Sequence, residues 1–174
     1  MRWRDRKDLG TEAIDKAERE SSECKGPYLN AAGCSPEEKY KRDEYDKEIA
    51  SPIIMQELLT GGFTGNTGHS IWCSEHRIAR HILAAMPAVM DCNPQHGIQF
   101  RVAAKCLRYT GGDQLHTGLV VGKYARHRNC SLGFVDQLRE SLVPVDRTNG
   151  VVFDQEWCSM PPVHAGKSGG IDVW

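Results

Sequence analysis

Apolar positions are thin over residues 1–50 and dense afterwards. Thr11 to Ser22 has helix-forming composition, with Ala13, Ile14 and Ala17 on one narrow stripe; Gly10 and the charges before it weaken its start. Lys25 to Asn30 carries Gly26 and Pro27 and reads as a break followed by a short extended segment. Ser35-Pro36-Glu37-Glu38 is a helix start, with a capping hydroxyl, proline at the first helical position and acids in the first turn. That helix runs to about Ile49, and its face of Tyr40, Tyr45 and Ile49 is interrupted by Asp43, Glu44 and Asp46, which predicts weak packing. Pro52 to Met55 is an apolar run of buried-strand type. Leu58 to Gly62 reads as a loop, with a helix from Thr64 or Asn66 through Cys73. Arg77 to Leu83 fits strand or helix, and Asp91 to Pro94 a turn. Gln99 to Tyr109 is the strongest helix, with Phe100, Ala103, Ala104 and Leu107 on one side. Gln114 to Thr117 is a short strand, Ser131 to Leu142 a further helix, and Val151 to Phe153 and Pro162-Val163 short strands.

Short strands alternating with helices of this length predict an α/β fold of about five βα units around a parallel sheet. In such folds ligands gather at the C-terminal strand ends. His116, at the end of its strand, and Ser168-Gly169-Gly170 are expected there. So is Lys123, beyond Gly118 and Gly122, which free the backbone to leave the strand.

Composition narrows the partners. The length of 174 residues suits one domain. The net charge of −1 gives no global reason to bind nucleic acid or an acidic membrane. No run approaches a membrane span, and the first residues lack the apolar segment of a signal peptide. Seven scattered cysteines without a CxxC pair fit free thiols in a reducing compartment. Residues 1–50 hold 24 of the 45 charged side chains, too polar to bury well alone.

The motifs are modest on their own. Gly118-x-x-x-Gly122-Lys123 is one residue short of a P-loop, and Tyr124 stands where Ser or Thr would hold Mg²⁺. The plain reading is a glycine-rich loop with a solvated lysine. His116 reads either as a packed core histidine or as a ligand contact beside Thr117 and Gly118. Ser168-Gly169-Gly170 is a turn or an anion nest. His69, His76, His81 and His96 share no metal-ligand spacing and read as surface or packing residues.

Longer segments are more specific. Arg2-Trp-Arg-Asp-Arg6, Tyr28-Leu-Asn30, Pro52-Ile-Ile-Met55, Leu59-Thr-Gly-Gly-Phe-Thr64, Phe100-Arg-Val102, Gly111-Gly-Asp113, Gly122-Lys123, Leu132-Gly-Phe-Val-Asp136 and Ser168-Gly-Gly-Ile171 resemble the large subunit of ribulose-1,5-bisphosphate carboxylase/oxygenase (RuBisCO) along the whole chain. The resemblance implies that residues 1–174 are part of a catalytic (β/α)8 TIM barrel, covering its third to seventh strands. A slice of that kind cannot close a barrel, and its cut edges expose backbone groups. By resemblance His116 and Ser168 contact one phosphate of the sugar bisphosphate, and Gly169 and Gly170 donate to the other. Lys123 matches the lysine of the closing loop that meets CO₂ or O₂. An ammonium brought in by a lid stabilises the charge that develops on carboxylation and excludes water.

The resemblance also implies Mg²⁺, with its ligands outside this chain, so no metal residue is assigned here. It implies other large subunits and, in some members, small subunits as partners, and a chloroplast stroma or bacterial cytoplasm as location. Departures accompany the matches. Leu83-Ala84 stands where the family has a catalytic histidine and a phosphate-binding arginine, and Pro87 replaces another histidine. Lys7, Asp8, Lys39, Asp43 and Glu44 fall at positions expected to be apolar, where burial costs several kcal/mol each unless the charge reaches solvent. The leading expectation is part of a RuBisCO large chain, inactive alone. The alternatives are a RuBisCO-like sugar-phosphate enolase or isomerase, and a non-catalytic or decayed module.

Overall fold

The computed structural model describes residues 2–83, 93, 95–116, 133, 136–149, 151–156 and 164–166. Helix α1 (Trp3–Ser21) leads into strand β1 (Tyr28–Asn30), helix α2 (Pro36–Glu48), strand β2 (Ile53–Glu57), helix α3 (Leu58–His76) and strand β3 (Ala79–Leu83). Helix α4 (Phe100–Tyr109) and strand β4 (Gln114–His116) follow. Strands β5 (Leu142–Val143) and β6 (Gln155–Glu156) form an antiparallel ribbon around a 3-10 turn, Arg147–Asn149, and strand β7 (His164–Gly166) ends the series. The main sheet has the order β1-β2-β3-β4-β7, parallel at every pairing, with helices in the connections. This is the expected α/β rhythm, consistent with part of a (β/α) barrel. Among the described residues no helix is long and apolar enough to cross a membrane.

The apolar core lies where α3 and α4 cover β3 and β4. Leu58, Ile82, Phe100, Ala103, Ala104, Leu107, Leu115 and Leu138 form one buried cluster. The α4 stripe read from the sequence supplies half of it. Gly112 lets β4 approach this cluster: a Cβ there would stand 2.3 Å from Ile82 Cδ1.

Several local expectations are revised. α1 runs through Gly10 back to Trp3, so the charged segment before the glycine is helical. Leu58 to Gly62 is not a loop: α3 begins at Leu58 and bends at Gly62, whose φ of 58° suits a residue without Cβ. The Asn66 amide spans that bend, donating to the Gly62 carbonyl at 2.6 Å. Arg77 to Leu83 resolves to strand from Ala79. The helix expected to reach Leu142 is helical at 136–139, and Leu142 lies in β5. Pro162 and Val163, like Ala84, Pro87 and most of Asp91 to Pro94, fall outside the described residues.

α2, expected to pack weakly, buries polar residues in place of apolar ones. Ser35 caps it, accepting from Glu38 N at 3.3 Å. Its inward face is polar, and the partners are provided. Lys7 of α1 pairs with Asp46, both almost fully buried. Asp43 accepts from Gln56 Nε2 at 3.0 Å and stands 2.7 Å from His69 Nδ1. His69 stacks on Tyr40 at 4.5 Å between ring centroids. Arg80, fully buried, donates to Ser70 and Asn66, and its backbone N–H donates to Asp113. Burial lowers the Arg80 pKa to about 10 and raises that of Asp46 to about 6. Asp8 and Glu44 escape the cost by lying exposed, whereas Lys7 and Asp43 escape it by pairing.

Candidate functional site at the C-terminal strand edge

Side chains alternate across a strand, and the register here is continuous. Ile54, Gln56, Arg80, Ile82 and Leu115 point toward the helices and are buried. Met55, Glu57, His81, Leu83, Gln114 and His116 belong to the other face, the inner face of a barrel of this type. Met55, His81 and Gln114 stand in one row across three strands, and Glu57 pairs with Leu83 one step nearer the C-terminal edge.

Two histidines meet on that inner face. His81 Nε2 is 2.9 Å from His116 Nε2, and the rings stand edge-on at 73° with centroids 4.4 Å apart. On the far side of the ring, His81 Nδ1 is 3.0 Å from Gln114 Oε1. Burial lowers the pKa of His81, and the Gln114 bond partly offsets this. A neutral His81 has one N–H. The amide oxygen can only accept, so that proton sits on Nδ1, and Nε2 is left as an acceptor. His116 must then donate from its own Nε2.

His116 lies at the strand end read from the sequence, half-buried, and pairs in register with Gly166 of β7. Lys123, Ser168, Gly169 and Gly170 lie outside the described residues. His81 was read from the sequence as a surface or packing residue, and here it is the direct partner of His116. A strand assignment for Ala79–Leu83 would have put His81 on one face. Only the cross-strand register aligns it with Gln114. His69 is likewise buried rather than superficial, but on the helix side. Leu83, half-buried, ends β3 with an alkyl group at the edge where acid–base or phosphate chemistry would need a polar one.

Mg²⁺ asks for several oxygen ligands. Among the described residues no three His, Cys, Asp or Glu side chains converge on a point. Among the described residues the inner edge offers one carboxylate, Glu57, beside two imidazoles engaged with each other. This donor set does not fit Mg²⁺, and no chemical step through the metal is derived from it.

What the edge can do is narrower: present an imidazole, positioned by a buried second imidazole, at the strand ends where ligands of such folds arrive. The family model described as ribulose bisphosphate carboxylase large chain, catalytic domain, matches residues 1–174, the whole of this sequence, and the chain belongs to that family.

Proposed function

We propose that this chain forms the phosphate-contacting and lid-bearing side of a RuBisCO-type active site for ribulose 1,5-bisphosphate. The observation that carries the reading is His116 at the C-terminal end of a central parallel strand, in a chain matched by the family over its full length. In this reading His116 and Ser168 bind one phosphate, and Gly169 and Gly170 donate backbone N–H groups to the other. Lys123 is carried by the closing loop to the charge that develops as CO₂ adds to the enediolate. The pairing of His116 with Gly166, two residues before Ser168, supports a shared phosphate site. Mg²⁺ belongs to the completed site, and other large subunits, with small subunits in some assemblies, are the partners. The compartment is a plastid stroma or a bacterial cytoplasm.

The 174-residue chain alone does not turn over. Leu83 transfers no proton, and the described residues offer no Mg²⁺ site. The test is ribulose bisphosphate-dependent incorporation of labelled CO₂ with Mg²⁺. The purified chain is expected to show none yet to bind the bisphosphate, and His116→Gln is expected to weaken that binding about tenfold, the scale of one charge-assisted hydrogen bond. Measurable fixation by the chain overturns the inactive reading. Unchanged binding in His116→Gln overturns the phosphate role.

Leu83 also favours a second reading, a RuBisCO-like enolase or isomerase of a related sugar phosphate. Such an enzyme has no use for a lysine at the gas position. In a complete barrel carrying this segment, Lys123→Met abolishes carboxylation under the first reading and leaves isomerisation or enolisation intact under the second. If no turnover of either kind is found in that context, the segment is a non-catalytic module.

A further inference from the structure

Away from the strand-edge histidines, a cavity of about 170 Å³ lies between the start of α2 and the bend of α3. Its lining is rich in hydrogen-bond donors: Ser35, Lys39, Tyr40, Thr60, Thr64 and the backbone around Gly61. Lys39 is 4% exposed, and its ammonium group lies against Gly61, where an added Cβ would stand 3.2 Å from Nζ. Among the described residues no hydrogen bond or ion pair reaches the Lys39 ammonium. Asp43 and Glu38 are otherwise engaged, and Glu57 acts on the ammonium only through space. Both oxygens of Asp43 face Gln56 and His69, and Glu38 accepts from Arg42 Nε at 3.2 Å. Burial depresses the Lys39 pKa, Asp43 and Glu57 draw it back up, and Arg80 pushes it down. So the side chain is buried while its ammonium opens on the cavity with no acceptor among the described residues, a position that a ligand oxygen can fill.

Two helix starts add to it. α2 begins at Ser35-Pro36 and the second limb of α3 after Gly62, and both ends border the cavity, with the Glu38 N–H of α2 already given to Ser35 Oγ. Glycines at 61, 65 and 68 keep the walls low, and a Cβ at Gly68 would meet the Tyr40 hydroxyl at 3.2 Å.

The geometry points to a second anion site: a pocket for a phosphate group, held by the Lys39 ammonium with Tyr40, Thr60 and Thr64 hydroxyls, separate from the His116 edge. The group is either free inorganic phosphate, which the cavity admits whole, or the phosphate end of a small monoester whose remainder projects through the opening.

Equilibrium dialysis of the full 174-residue chain against radiolabelled inorganic phosphate, with amide NMR mapping, tests this. A saturable site is expected, shifting the amides of Gly61, Thr64 and Gly65. Lys39→Met, which keeps the side-chain volume and removes the charge, is expected to weaken it by about tenfold or more. Gly61→Ala, which crowds the ammonium, is expected to weaken it as well, and His116→Gln to leave it unchanged. Competition by a sugar monophosphate more strongly than by phosphate identifies a monoester as ligand, and the reverse identifies free phosphate. No saturable binding, equal binding by Lys39→Met, or loss in His116→Gln with retention in Lys39→Met each overturns the proposal.

Discussion

On the helix side of β3, Arg80 gives its guanidinium to Ser70 and Asn66, and its neighbours Asp43 and His69 face each other at 2.7 Å. One residue later and on the opposite face, His81 has a glutamine on one side and a second imidazole on the other, with no carboxylate at either contact. The helix side pairs Lys7 with Asp46 and Asp43 with His69 and gives Arg80 neutral acceptors, while the Lys39 ammonium has no such partner among the described residues. The inner side joins its imidazoles to each other and to an amide instead. A closed charge network holds helices in place. An open one is able to respond to a ligand.

The largest effect that would break this contrast is removal of a helix-side partner. Lys7→Met leaves the Asp46 carboxylate buried without its cation and is expected to cost about 3–5 kcal/mol near neutral pH in chemical denaturation. The loss should shrink below about pH 5, where Asp46, with its pKa raised to about 6, carries a proton. A loss under about 1 kcal/mol at neutral pH would mean that Lys7 snorkels to solvent and that the pair carries little. Next in size, Gly112→Ala drives a methyl into Ile82 Cδ1 and should cost about 1–3 kcal/mol in the same assay, independent of pH.

The two faces are also expected to answer acid with opposite signs. The folded pKa of Asp46 lies above its ordinary 3.8, so its contribution to stability is full below about pH 4 and is lost as pH rises through about 6. The folded pKa of His81 lies below its ordinary value. Its contribution is therefore present above about pH 6.5 and is lost as pH falls through the lowered value. Melting curves across pH 4–8 should show the acid-side loss disappear in His81→Gln while the Asp46 trend remains. The smallest effect is local: in His81→Gln the ¹⁵N shifts of His116 should report a changed tautomer balance with little change in stability. Unchanged shifts would show that His81 does not set the His116 proton.

α4 was legible because its apolar stripe at helical spacing needs no partner to be recognised, and Ser35-Pro36 because capping is local chemistry. The βα alternation gave the parallel sheet for the same reason, and the strand-end position of His116 followed from it. The charged face of α2 misled. Asp43 and Asp46 look like surface residues until His69, 26 positions on, and Lys7, 39 positions back, are brought against them.

By itself the amino-acid sequence determined the family, the βα order and the residue that marks the strand edge, since each depends on local spacing or on an uninterrupted run of matching segments. The tertiary structure alone decided which charges are paired, that Lys39 is buried beside a cavity, and that His81 holds His116. Those facts depend on register and on contacts between residues far apart in the chain, and periodicity carries no information about either.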